Sequence, residues 1–204
     1  MVKLIGMIQE FRDAEDKKVG SDQLPALDIY KDVLIDPATN LIKVKRIYEN
    51  GSLAFVNYVL YAEENEQDKL DELKNICDRF SIVVRNAQGA DTIETEKEFE
   101  KDILLFWSRY LVRRGFKVCW ETLDLNTGLA DYKKTDKYYF DDDGEELLEA
   151  SYNDDGFLES IIYKPCGDNN WGQDWEYYDQ ASFPDLQAKF TDNIDYYLTA
   201  TLEP

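Results

Sequence analysis

Apolar and polar positions change their period several times along the 204 residues. Met1, Leu4, Ile5, Ile8 and Phe11 fit a helical stripe, yet Val2, Leu4, Ile5 and Ile8 also suit a short strand, so the first segment stays open. Residues 13–25 are polar and close on Leu24-Pro25, which reads as a loop. Leu27 to Ile35, Leu41 to Glu49 and Leu53 to Tyr61 then form three β-rich runs joined by Asp36-Pro37-Ala38-Thr39-Asn40 and by Asn50-Gly51. Asn-Gly supplies the positive φ of a tight hairpin turn, so the last two runs are expected to pair antiparallel.

Leu70, Leu73, Ile76, Cys77 and Phe80 recur at helical spacing among Asp, Glu, Lys and Asn, predicting an amphipathic helix of about 14 residues from near Glu66. Ser81 to Arg85 reads as a short strand. Phe99, Ile103, Phe106, Trp107, Tyr110 and Leu111 share one helical face, with acids before them, Arg109, Arg113 and Arg114 toward the end, and Gly115 at a C′ position. That segment is expected to be the central core helix. From Phe116 the period becomes two, with turns at Asn126-Thr127-Gly128 and at two Asp-Gly steps. A loop from Pro165 to about Ala181 leads to a last helix capped by Ser182 or Asp185, whose stripe is Leu186, Phe190, Ile194, Tyr197 and Leu198. The predicted fold class is α+β: antiparallel β-meander sheets packed against about three amphipathic helices. One domain over 1–204 is expected, divisible into sub-halves 1–115 and 116–204; a distant internal duplication of meander plus helix would fit the layout.

Composition narrows the function classes. Hydrophobic residues are 44% and aromatics 14%, too many for a disordered acidic chain. The chain has no histidine, which removes imidazole triads and the usual zinc sites. Cys77, Cys119 and Cys166 are far apart and read as reduced, mostly buried thiols. The apolar start is too short for a secretory signal and nothing later reaches a membrane span, so the expected location is cytoplasmic. Neither phosphate-binding glycine loop occurs. No cofactor, metal or catalytic residue is expected.

Two adjacent units stand out: Phe140-Asp141-Asp142-Asp143-Gly144-Glu145-Glu146-Leu147 and Tyr152-Asn153-Asp154-Asp155-Gly156-Phe157-Leu158, with Tyr48-Glu49-Asn50-Gly51-Ser52-Leu53 as a cousin. Each has an aromatic at a strand end, a polar turn closing on glycine and an apolar residue beyond. Read as calcium loops with the glycine sixth, they place Tyr139 or Ser151 first and Ala150 or Ile162 twelfth, which supplies neither the first aspartate nor the bidentate glutamate. Solvated hairpin turns are the reading that remains. In layout the units resemble the Tyr- and Asp-Gly-rich hairpin repeats of bacterial antitoxin-module and surface-repeat proteins. The resemblance implies a bacterial β-meander used for protein binding and carries over no catalytic residue.

Charge is unevenly placed. Of the 43 acids and 23 bases, residues 1–120 hold 22 and 18, residues 121–204 hold 21 and 5, and no arginine follows Arg114. The net charge of −20 argues against nucleic acid or an anionic membrane as partner. Lys133, Lys134 and Lys137 are the one basic knot of the second half and read as a solvated strand end. Acids interleaved with rings suit a docking face for a basic protein, with Asp141, Asp142, Asp143, Tyr152, Asp154, Asp155, Trp171, Asp174, Trp175 and Tyr177 as candidate partner-binding residues. The chain has the character of acidic toxin-immunity proteins, and the expected role is a non-catalytic immunity or inhibitor protein for a basic toxin such as a nuclease. Carboxylates two apart, Asp141 with Asp143 and Asp174 with Glu176, would also suit a nucleic-acid mimic. The alternatives are a carbohydrate-active hydrolase using a carboxylate pair near Trp171 and Trp175, and a surface or structural repeat protein.

Overall fold

Strand pairing accounts for nearly all of the regular structure in the computed structural model, which describes residues 6–165, 175–190 and 194–202. The strands are β1 (Ile8–Asp13), β2 (Lys18–Val19), β3 (Ile29–Asp36), β4 (Leu41–Glu49), β5 (Ser52–Leu60), β6 (Arg79–Gln88), β7 (Asp91–Glu100), β8 (Ile103–Arg113), β9 (Phe116–Leu123), β10 (Ala130–Phe140), β11 (Glu146–Tyr152), β12 (Leu158–Tyr163) and β13 (Glu176–Tyr178). They join in one mixed sheet in the order β13-β12-β11-β10-β9-β8-β7-β6-β5-β4-β3-β1-β2. The α-helices among the described residues are α1 (Glu66–Lys74) and α2 (Phe183–Gln187), each shorter than three turns. None is long and apolar enough to cross a membrane.

The α+β expectation with three amphipathic helices is therefore overturned, and the reason lies in residues 91–113. Glu94, Glu96, Glu98 and Glu100, which suggested an acidic helix start, are spaced by two along β7, while Ile93 and Phe99 are buried. Ile103 to Arg113 is rich in β-branched and aromatic residues, which favour strands. It lies between two turns whose residues have positive φ: Lys101 at 56°, Arg114 at 51° and Gly115 at 88°. Arg114-Gly115 has the dihedral pattern of a two-residue hairpin turn, not of a helix end. The expected closing helix is also cut short. It occupies five residues of α2, and a 3-10 turn at Asp195–Leu198 carries the end of the stripe.

By contact the chain divides into two units, residues 1–85 with 96–106 and residues 86–95 with 107–204. In the first, β3, β4 and β5 form the expected meander, and Asn50-Gly51 takes φ of 48° and 76° with Glu49 opposite Ser52. The undecided amino-terminal run supplies β1, antiparallel to β3. Helix α1 crosses over to β6, which pairs parallel with β5 from Val56 opposite Phe80 to Leu60 opposite Val84. The helix begins where the sequence places it: the Asn65 side chain accepts from Asp68 N, acids fill the first turn and Lys74 ends it. Its stripe outlasts it, since Leu73 lies in the helix, Cys77 after it and Phe80 in β6, all in one core with Val44, Val56 and Ile82.

In the second unit β9 to β13 form a meander, one face of which is covered by the carboxy-terminal segments. Leu148, Ala150, Tyr152 and Ile161 of the sheet pack against Phe183 and Leu186 of α2 and against Ile194, Tyr197 and Ala200. Between Asp131 and Thr135 the β9–β10 register slips, and Tyr132, Lys133 and Lys134 stand out of the ladder. Lys133 and Lys134 are exposed as expected; Lys137 is fully buried, so the basic knot is not a single solvated strand end.

Leu73 is the helix residue most deeply set in the first core, at 2% exposure. Leu73→Ala is expected to lower stability by about 2–5 kcal/mol, measured by urea denaturation, with the wide range reflecting how far the site can collapse.

Candidate functional site

Three turns share one geometry. In Asp13–Lys17, Asp141–Glu145 and Asn153–Phe157, the first residue's N–H donates to the fifth residue's carbonyl, at 2.9, 3.0 and 3.0 Å. The first side chain's Oδ1 accepts from two turn amides: Glu15 and Lys17 onto Asp13, Asp143 and Glu145 onto Asp141, Asp155 and Phe157 onto Asn153. The fourth residue has positive φ in each, 62° at Asp16, 84° at Gly144 and 79° at Gly156. These are self-capped turns in which the leading Asp or Asn holds the backbone. The cousin at Tyr48–Leu53 is a different object, a two-residue turn. In the acidic turns the carboxylates left outward are Asp142, Asp143, Asp154 and Asp155, all exposed.

The two acidic turns do not lie side by side. They cap opposite ends of β11, whose seven residues separate them by roughly 20 Å at about 3.3 Å per residue. Tyr152 contributes no surface: it is 1% exposed and its hydroxyl donates to Tyr197 O at 3.1 Å. Strand register also sorts the tyrosines. Tyr138, Glu149, Ile162 and Tyr177 form a row on one face, while Tyr139 and Tyr163 pack against the core on the other. Tyr177 is 69% exposed, and Trp175 has Lys164 Nζ 5.1 Å from its ring centroid. Trp171 and Asp174 lie outside the described residues, as does Cys166. Cys77 and Cys119 are buried free thiols.

Beside the Asp141 turn is a cleft of about 750 Å³. Its aromatic wall is built by Phe116 and Phe140, stacked with centroids 4.9 Å apart, and by Phe190, which meets the edges of Tyr139 and Tyr163 at 5.4 and 5.3 Å. Tyr196 and Tyr197 close it from the carboxy-terminal segment. Its mouth carries Arg113, Arg114, Lys189, Asp141 and Asp142. The cations are partnered: Arg113 binds Asp91 through Nε and Nη2 at 3.0 and 2.7 Å, Arg114 Nη1 meets Asp142 at 2.8 Å, and Lys189 meets Glu176. Hydrogen bonding by Arg113 holds Asp91 below the usual carboxylate range. The Arg114–Asp142 pair is almost wholly solvated and contributes little by itself, so Asp142 is available to another cation.

The sequence picks out Asp141 to Asp143 but not the ring wall behind them. Phe116, Phe140 and Phe190 look like ordinary strand and helix residues until the Arg114-Gly115 turn starts β9 at Phe116 and the Asp124–Leu129 turn brings β10 back beside it. That dipeptide, lying between two β-rich runs, is the signal that could have revealed the hairpin. Among the described residues no group of three or more Cys, Asp or Glu is placed to hold a metal ion. Burial raises the carboxyls of Glu121 and Asp136, but these face opposite sides of the sheet, and Glu121 is held by Arg109 at 3.0 and 2.7 Å.

Compared with protein-family models, with curated proteins and with solved structures, the chain finds no match.

A Cβ at Gly144 would sit 2.9 Å from Phe116 Cζ, whereas one at Gly115 would meet nothing within 4 Å. Both glycines have positive φ, so alanine strains each turn. Gly144→Ala must also displace the stacked ring, and it is expected to cost about 1 kcal/mol more than Gly115→Ala in urea denaturation.

Proposed function

We propose that this chain is a non-catalytic acidic binding protein whose partner is a basic protein, acting as an immunity-type inhibitor of a bacterial toxin such as a nuclease. The observation that carries this reading is the pairing of an aromatic cleft with the self-capped Asp141–Glu145 turn at its mouth. Half-buried rings offer large contact area with few rotors to freeze, the usual make-up of an interface hot spot. The capped turn presents Asp142 and Asp143 with little further ordering, so a partner's lysine or arginine meets carboxylates already in place. The excess of 21 acids over 5 bases in residues 121–204 would steer a basic partner toward this unit. Resemblance of the turn units to antitoxin-module repeats fits the same role.

Relative to the sequence reading, the docking face contracts. Asp141 and Asp142 line the cleft with Asp143 beside them in the same turn, Asp154 and Asp155 stand at the far end of β11, and Tyr152 drops out. The alternative of a carboxylate-pair hydrolase near Trp171 and Trp175 finds no support in Glu121 and Asp136, the carboxyls raised by burial among the described residues, which face opposite sides of the sheet. The mimic reading loses one phosphate substitute, since Asp141 Oδ1 is engaged by its own turn.

The test begins with capture on the immobilised chain from bacterial lysate, followed by kinetics with the captured protein. A basic partner is expected, its association slowing about tenfold or more both on raising salt and in Asp142→Lys/Asp143→Lys. Association indifferent to salt and to the double change would sink the proposal. The same double change at Asp154 and Asp155 is expected to slow association less.

A further inference from the structure

Four lysines are buried among the described residues: Lys43, Lys69, Lys137 and Lys164. Three are paired with a carboxylate, Lys43 with Glu64, Lys69 with Glu72 and Lys164 with Glu146. Lys137 has no carboxylate within ion-pair distance among the described residues. It occupies the middle of a cross-strand row, Leu111, Cys119, Lys137, Ala150 and Ile161, of which every member is 0–1% exposed. Its Nζ donates to Tyr196 O at 2.6 Å and lies 3.2 Å from the Tyr196 ring centroid. Both contacts come from one segment, residues 194–202, which closes over this row. The segment is also held by Ala200 N on Gly156 O at 2.9 Å, Tyr197 OH on Tyr138 O at 3.2 Å, Tyr152 OH on Tyr197 O, and the Leu202 amide on the Glu121 carboxylate.

We infer that the docking of residues 194–202 onto the sheet is a proton-linked switch whose titrating group is Lys137. When the segment is seated, water is excluded and the ammonium has the Tyr196 carbonyl and ring face, with the Tyr152 ring of β11 farther off at 5.8 Å, to replace its hydration. When it lifts, the same ammonium is solvated. The proton therefore favours the lifted state. Burial pulls the seated Lys137 down to about 7 from an ordinary 10.5. Docking should therefore tighten as pH rises through that interval, by up to about tenfold per pH unit, and level off below about pH 7, where lysine is charged in both states.

The groups facing Lys137 do not reproduce this. From β9, burial pushes the Cys119 thiol up to about 12; Glu121, clamped by Arg109 of β8 and accepting from the Leu202 amide of the segment, has its carboxyl raised by burial, so its proton favours the seated state, the opposite sign to Lys137. From β11 and the closing segment, burial raises the phenols of Tyr152, Tyr196 and Tyr197, which stay neutral across the interval. Asp136, adjacent on β10, faces the other side. Because Ile194, Tyr196 and Tyr197 line the cleft, the cleft is complete only while the segment is seated. The inference about docking does not rest on the proposed partner.

The test is amide hydrogen exchange at Ala200, corrected for intrinsic rates, on the full chain between about pH 7 and pH 9. Protection is expected to rise about 50-fold with pH in the native chain and to be flat in Lys137→Met. Amides of β10 and β11 are expected to show a smaller slope. Flat protection in the native chain, an equal slope in Lys137→Met, or an equal slope in β10 and β11 would each overturn the switch. Should Lys137→Met not fold, the Lys137 side-chain carbon resonance in the native chain decides: titration near 7 supports the inference and titration near 10.5 overturns it.

Discussion

Burial of one sheet face beneath short covering segments is the interaction on which each unit depends. A meander by itself leaves both faces in water and gains little from apolar burial. In the first unit α1 lays Leu73 over Val44, Val56 and Phe80, and the chain beyond it adds Cys77. In the second, Phe183 and Leu186 of α2, followed by Ile194, Tyr197 and Ala200, cover Leu148, Ala150 and Ile161. Each cover is brief, so a few side chains carry it. The sheet faces opposite them hold the polar and half-exposed rows, as at Trp120, Asp136, Ser151 and Ser160.

That arrangement also places the candidate site. The cleft forms where a covering segment meets a turn, so its walls come from distant stretches: Phe116 and Phe140 from strand ends, Phe190 and Tyr197 from the cover. The Asp141 turn at its mouth is rigid for local reasons, since Asp141 spends one oxygen on its own backbone and leaves Asp142 and Asp143 outward.

Much of the meander was legible. Asn50-Gly51, the Asn65 cap before α1, and the period-two run from Phe116 all appear where local chemistry puts them, because turn and cap preferences act over a few residues. Residues 91–113 were not legible, since their ring spacing satisfies a helical stripe and only the flanking Lys101 and Arg114-Gly115 turns decide for strands. The last helix has the right stripe, and Leu186, Ile194 and Tyr197 do share a core, but a shared face does not require an unbroken helix. Lys137 was hidden for a different reason. Sequence gives its parity on β10, but not that residues 194–202 return to cover that parity. The separation of the two acidic turns was hidden by the same logic, because twelve residues between Asp-Gly turns look like neighbours in a sequence and become opposite ends of a strand in a hairpin.

The ends of the strand order have a consequence for how the chain lives among other proteins. Its first member, β13, has three residues and its last, β2, has two. An open sheet recruits foreign strands through long, unpaired outer ladders, and the outermost strands among the described residues offer two or three residues each, covering part of β1 and of β12. Lys17 and Lys18, and Glu176 with Lys189, add charge beside them. Among the described residues, the outermost strand at each end of the sheet is thus a short one with charge beside it, the form of edge that gives a foreign strand least backbone to pair with.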